Sequence, residues 1–426
     1  MSTYKYFNCD SDSKYFKFGY SALGPILWGY VHWLKVHLEK MGLERIYFFS
    51  RDGYIMKQAF EMLDGAEKFD TYYLEVSRRA LRVPILYKDP SFNNLLTMLS
   101  VGEIISLISI FDAVGLSIED YDLLLSKYGF NRDSIFYRSS ICDNENLSLL
   151  YNELLSDIIS KSKEEYSLLS QYIKQQKLGG KFAIVDIGWS GGMQRFLIDA
   201  LREMDIECDI YGFYTGIAPY FKRNIQKGDL HMFGYLFDFK NNPKSEDFRS
   251  CFVGLYEMLF LERGGSVQKY TMENDRIISV RSPYEYANSP QLIERIKDVQ
   301  HGALNFIQCM EKNSQNIDAY SKECLAYNLK HQCTMPTSNA IHLFGNFDFF
   351  DEGECTKLAE AKSILYYIFH FKAFKNDFLK SHWKVAFLRK VFLLPVSYYP
   401  LYVAAKNILK KPQIRNYAPN MIQKRK

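Results

Sequence analysis

Two apolar segments of this chain end in short, polar, glycine-rich loops that run straight into amphipathic helices, and few folds accommodate that arrangement twice. The first is Ile46-Tyr47-Phe48-Phe49, followed by Ser50-Arg51-Asp52-Gly53; the second is Ala183-Ile184-Val185, followed by Asp186-Ile187-Gly188-Trp189-Ser190-Gly191-Gly192. Ile55, Met56, Ala59, Phe60 and Leu63 then recur at helical spacing after the first loop, as do Met193, Phe196, Leu197, Ala200 and Leu201 after the second. Repeated strand–loop–helix units predict an open parallel sheet. The carboxyl ends of such strands, facing free helix N-termini, are where phosphorylated ligands are held.

The surrounding pattern extends this expectation. Leu27, Tyr30, Val31, Leu34 and Leu38 mark a helix that stops at Gly42. Thr71–Val76 is aromatic and β-branched, a strand ending at Ser77-Arg78-Arg79, and Asp209–Thr215 predicts another. Leu, Ile, Ser and Glu at helical period between about 88 and 178 predict a helical insertion serving as a cap or a wall. Beyond Gly216 the pattern loosens, with helices expected near 290–312 and 320–331. The expected fold is α/β: a Rossmann-like, mostly parallel sheet with its insertion in residues 1–270, a smaller mainly helical region in 271–350, and a basic amphipathic tail in 351–426.

Charge is distributed unevenly. From Tyr366 to Lys426 there are 13 Lys or Arg against the single acid Asp377, a surplus of 12; the total of +4 therefore leaves −8 for residues 1–365. The tail is also aromatic (Phe369, Phe371, Phe374, Phe378, Trp383, Phe387, Phe392), which suits an anionic membrane surface contacted through 366–426. The acidic body would repel nucleic acid. The uncharged run Val391–Ala405 has 15 residues, short of the roughly 20 a membrane-spanning helix needs, so an interfacial segment is expected. Met1–Phe18 lacks a basic region followed by an apolar run. The eight cysteines follow no metal spacing, His331-x-Cys333 being the nearest thing to a ligand pair, and thiols reduced in a cytoplasmic setting are expected.

Candidate chemistry gathers at the strand ends. Ser190-Gly191-Gly192 offers bare backbone N–H groups and a positive dipole end to a phosphate, although tight strand-to-helix packing also requires small residues there. Asp186 suits sugar hydroxyls or a metal such as Mg2+. Arg51-Asp52-Gly53 occupies the equivalent place in the first unit, either as a structural ion pair or as part of a site, with Gly53 expected to allow a backbone conformation closed to other residues. Ser77-Arg78-Arg79 adds two guanidinium groups at the next strand end, while Gly188, Trp189 and Gln194 complete the second loop. Gly188-Trp189-Ser190-Gly191-Gly192 also fits the Gly-x-Ser-x-Gly letters of a nucleophile elbow, but no His-Gly-Gly-Gly oxyanion segment precedes it.

Gly24-Pro25, Ser50-Arg51-Asp52-Gly53-Tyr54, Ser77-Arg78-Arg79-Ala80-Leu81 and Val185–Gln194, taken together, resemble the region that follows the catalytic domain in haloacid-dehalogenase-like (HAD) hydrolases of bacterial surface-polysaccharide clusters, over about residues 19–265. The Asp-x-Asp pair of a HAD nucleophile is not matched, because Tyr54 stands two places after Asp52 and Asp10-Ser11-Asp12 follows no apolar strand. The resemblance implies a module of capsule, O-antigen or exopolysaccharide assembly, cytoplasmic or peripheral on the inner membrane. The loops are also similar to those of phosphoribosyltransferases, with one strand-end acid in place of two and Trp189 inside the loop. The expected activity is that of a hydrolase or transferase acting on a phosphorylated sugar or nucleotide-sugar, with Asp186, Asp52 and Arg51 in catalytic roles. The alternative is a non-catalytic module that binds a glycan intermediate or recruits glycosyltransferases through the tail.

Overall fold

Strand β1 (Arg45–Phe49) lies inside a five-stranded sheet in which every neighbour is parallel. The computed structural model describes residues 12–99, 104–226, 228–351 and 354–413. The other strands are β2 (Asp70–Leu74), β3 (Gly180–Trp189), β4 (Cys208–Ile217) and β5 (His231–Asp238), in the spatial order β2-β1-β3-β4-β5. Each of the central strands β1, β3 and β4 carries an almost unbroken apolar run because both faces are covered.

Helices cover the two faces from different stretches of sequence. Tyr47, Phe49, Phe182 and Ile184 pack with Leu169, Tyr172 and Ile173 of the 31-residue helix α4 (Glu145–Gln175) and with Leu197, Ala200 and Leu201 of α5 (Gly192–Glu203). On the other face Phe48 meets Phe60 of α2 (Gly53–Glu61) at 5.9 Å between ring centroids, and Phe213 meets Trp33 of α1 (Gly24–Met41) at 5.8 Å. Fully burying a side chain of this size is worth about 1.5–3 kcal/mol, so these two layers dominate the stability of the sheet. The fold is α/β and Rossmann-like.

Two features depart from the sequence expectation. Strand β5 was not expected; it is an edge strand of mixed burial, between the turn segments around Gly228 and Asn241-Asn242-Pro243. The insertion has its own core of Leu86, Leu107, Phe111, Leu150 and Ile158, but it also contains a short antiparallel pair, Ile104–Ser106 with Ile135–Tyr137. The N-terminal half of α4 serves that core and the C-terminal half serves the sheet.

The chain forms two compact units. The sheet unit comprises Val31–Ser245 and Glu262–Asn288, the latter an antiparallel hairpin of β6 (Val267–Glu273) and β7 (Arg276–Arg281). The second unit takes Glu246–Leu261 and the described residues before Val31 and after Asn288, and it is mainly helical: α6 (Pro290–Lys312), α7 (Lys322–Thr334), α8 (Ile364–Phe369), α9 (Phe371–Lys380), α10 (Lys384–Phe392) and α11 (Tyr399–Gln413). Within it a Cβ on Gly302 would stand 2.1 Å from the Phe16 carbonyl oxygen, so only glycine lets the segment around Phe16 lie against α6. Trp28 Nε1 donates to Glu311 at 2.7 Å, and Trp383 Nε1 donates to the Cys333 carbonyl at 2.8 Å. Pro400 is the second residue of α11, where a missing N–H costs nothing, and Pro395 falls between α10 and α11. Among the described residues no helix is long and apolar enough to cross a membrane.

In the second unit the His382 ring lies 4.4 Å from that of Phe349, and burial, aided by the charge of Lys384, pushes it down to about 4. In the unfolded chain this imidazole takes up its proton near pH 6.5, so between about 6.5 and 4 the unfolded state binds more protons and stability falls as pH falls. His382→Gln should flatten the pH dependence of the urea midpoint across that window. An unchanged slope would assign the acid sensitivity elsewhere.

Candidate functional site at the carboxyl ends of β1 and β3

Strand order reverses between β1 and β3: the chain leaves β1 towards β2 and leaves β3 towards β4 and β5. In an open parallel sheet this is the switch point, where the loops at neighbouring carboxyl ends diverge and leave a crevice. Ile46↔Ala183 through Phe48↔Val185 set the register; the loop at 50–53 follows β1 at once, whereas β3 runs on beside β4 through Asp186 to Trp189 before it turns at Ser190-Gly191, a later strand end than the sequence suggests. Arg51, Asp52, Gly53, Asp186, Gly188, Trp189, Ser190, Gly191 and Gly192 are therefore carried by one edge of one sheet.

The second loop is held rigidly. Gly188 has φ +117°, and a Cβ there would lie 2.4 Å from the Gly216 carbonyl oxygen, so β3 and β4 approach more closely than any other residue permits. Trp189 takes φ 152°, which an L residue rarely adopts, and its ring stacks on Phe237 at 6.0 Å. Gly191, in the left-handed region at φ 71°, caps α5. Asn224 Nδ2 donates to the Ser190 carbonyl at 2.9 Å, and Arg195 Nε donates to the Asn224 carbonyl at 2.9 Å. The Ile187 amide donates to Asp186 Oδ1 at 2.8 Å. Burial, and then the Asp186 carboxylate, hold the Tyr214 phenol well above its ordinary value.

The first loop is tied in from both sides. Ser50 Oγ donates to the Val76 carbonyl at 2.8 Å and accepts from the Val76 amide at 3.1 Å, joining the ends of β1 and β2. The Ser50–Arg51 peptide is cis. The Arg51 guanidinium pairs with Glu285 and donates to the Gly264 carbonyl at 3.3 Å. Burial alone would lower it, but Glu285 and, less strongly, Asp52 and Tyr284 together leave it above its ordinary value. Gly53 does not have a positive φ, contrary to the sequence expectation; it is needed because a Cβ would lie 3.0 Å from the Phe48 carbonyl carbon, at the start of α2.

The remaining candidates divide. Ser77 caps the short helix α3 (Arg78–Arg82), accepting from the Ala80 amide at 3.0 Å and donating to the Val267 carbonyl at 2.6 Å. Arg78 is exposed. Arg79 is taken up by the buried Glu165 in a two-pronged pair of 3.0 and 3.1 Å and by the Gln268 carbonyl. Gln194 is fully buried: its Nε2 donates to the carbonyls of Ile210 at 2.8 Å and His231 at 3.1 Å, and its Oε1 accepts from Tyr214 at 2.9 Å. Arg79 and Gln194 thus hold the frame.

Sequence reasoning missed Arg82. Its guanidinium stacks on the Phe196 ring at 4.4 Å, and that ring comes within 3.8 Å of where a Gly192 Cβ would be, so Arg82 lies beside the first turn of α5. Burial, and then the neighbouring Arg78 charge, lower it to about 9, with Asp199 opposing. The signal was the i, i+4 spacing of Arg78 and Arg82 on one helix. Also missed was the polar strap formed by the hairpin segment: Arg281 joins Glu75 (2.8 Å) and Glu262 (2.7 Å), and Tyr73 donates to Glu262 at 2.6 Å. Among the described residues no group of three or more His, Cys, Asp or Glu could hold a metal ion; Cys333 is buried in the helical unit, and burial raises its thiol.

No protein-family model matches the chain, and no curated protein is similar enough to count as a relative. Arg79→Ala would leave the Glu165 carboxylate buried without its partner and should cost about 3 kcal/mol in urea unfolding, most of it regained in Arg79→Ala/Glu165→Leu. A single variant as stable as the parent would contradict the structural role given to Arg79.

Proposed function

We propose that the chain binds a phosphorylated sugar or nucleotide-sugar at the β1/β3 switch point and acts on it as a hydrolase or transferase. The observation that carries this reading is the pairing of β1 with β3, which brings the 50–53 loop, with Asp52, to the same edge as Asp186 and the glycine-containing end of β3, each strand leading into a helix that starts at that edge. Backbone N–H groups at 190–192 and the dipole of α5 would take phosphate, with Arg82 beside the first turn of α5 and the exposed Arg78, one turn before it on α3, supplying positive charge. Asp186 would accept sugar hydroxyls or serve as the base, and Asp52, next to Arg51, would face the same ligand from the first loop. The uncommon backbone at Trp189, between Gly188 and Gly191, supports a functional loop because such conformations persist where the surroundings enforce them. If Mg2+ takes part, Asp52 or Asp186 would bind it together with ligand phosphate and water, since this ion is commonly held by one or two carboxylates plus phosphate. The resemblance to HAD-associated modules supports assigning the substrate to bacterial surface-glycan assembly.

The test is calorimetric titration with a uridine diphosphate sugar and a hexose 1-phosphate. Micromolar to millimolar binding is expected, weakened about tenfold in Arg78→Ala, which loses one charge-assisted contact, and more in Asp186→Asn. The unfolding free energy in urea without ligand should stay within about 0.5 kcal/mol of the parent for Arg78→Ala, whose side chain is exposed. Absence of binding by the parent, or equal binding by both variants, would overturn the assignment.

A further inference from the structure

We propose that α8, α9 and the turn after α10 form a docking surface for an anionic lipid bilayer. The interior of this region is complete: Tyr367, Phe387 and Val391 are buried together, with Phe374 and Phe378 packed against them. What remains outside is unusually apolar. Phe369 is 81% exposed, Leu393 75%, Phe371 74% and Leu365 67%, and Ile368, Leu394 and Val396 are exposed as well. Soluble monomers rarely leave large apolar side chains so closely grouped in water.

These residues adjoin. The Phe374 ring contacts Phe371 at 6.3 Å and Phe392 at 6.2 Å, linking the α8–α9 junction to the Phe392–Val396 turn. Leu393 takes φ 60° to cap α10, which ends the helix and leads into Leu394-Pro395-Val396. The charge surrounding them selects the partner. Between Tyr366 and Phe392 there are six Lys or Arg, of which Lys384 is turned inward with its Nζ donating to the Phe378 carbonyl at 2.7 Å, and one acid, Asp377, which already accepts from Tyr367 at 2.8 Å. Lys372 and Lys375 are exposed on the same helix as Phe371. Exposed Phe and Leu next to clustered Lys is the pattern of a surface that inserts shallowly among acyl chains while its cations meet anionic headgroups. A protein groove would satisfy the apolar side chains but gives no reason for so one-sided a charge. Arg415, Lys424, Arg425 and Lys426 would add to it; they lie outside the described residues.

The full chain should co-sediment with phosphatidylglycerol/phosphatidylcholine vesicles and partition on the order of tenfold less onto pure phosphatidylcholine. About 0.5 M salt should weaken the binding, as should Lys372→Glu/Lys375→Glu. Phe369→Ser/Leu393→Ser, whose side chains are exposed, should lose binding while the far-ultraviolet circular dichroism is unchanged. Equal retention on neutral and anionic vesicles overturns the proposal. So does self-association that depends on Phe369 without any vesicle binding. Sugar-phosphate titration reads a separate site, so failure of one assignment leaves the other standing.

Discussion

The parallel pairing of β1 with β3 is the constraint on which the rest of the structure depends. Parallel neighbours place their carboxyl ends at one edge, and the reversal of strand order between these two sends their loops apart. Each loop must then start a helix: α2 on the face with α1, α5 on the face with α4. Glycine is needed where those elements come closest. Gly53 lies against Phe48 and Gly188 against the Gly216 carbonyl. The site geometry is thus a consequence of sheet topology, and its loops have little freedom of their own.

Charge networks hold the loops in place. Arg281 is shared by Glu75 and Glu262, and Arg51 by Glu285 and the Gly264 carbonyl, so the segment from Glu262 to Glu285 fastens the ends of β1 and β2. These groups are partly buried, where hydrogen bonds to charged groups are worth about 1.5–3 kcal/mol each. On the other side Asn224 and Arg195 do the same for the 188–192 loop. A preorganised loop loses less entropy on meeting a ligand, the physical advantage of such bracing.

Much of this was legible in the sequence, and the exceptions have physical reasons. The central strands β1, β3 and β4 and the helices following β1 and β3 announce themselves by apolar run and period because both sheet faces are buried there, and the edge strand β2 by its aromatic, β-branched composition. The edge strand β5 does not, since it is buried on one side only in part and lies among turn residues. Local spacing identified Asp52 and the Ser190-Gly191-Gly192 turn as strand-end features, but it ended β3 too early: Asp186 lies within the strand, paired with Tyr214. It could not show that Arg79 is taken up by Glu165, 86 positions away, or that the Gln194 amide serves the carbonyls of Ile210 and His231. Nor could it show that Gly53 answers to the nearness of Phe48 rather than to backbone conformation.

The charge asymmetry of the chain fits a division of labour, with the acidic body carrying the sheet and its strand-end loops while the basic, aromatic C-terminal region carries a group of exposed apolar residues. The central claim is that one ligand engages both strand-end loops at once. Hydrogen–deuterium exchange with and without a uridine diphosphate sugar tests it most directly. The account predicts slowed exchange in the peptides covering both 50–54 and 188–194. Protection of only one of them, or of neither, would contradict it.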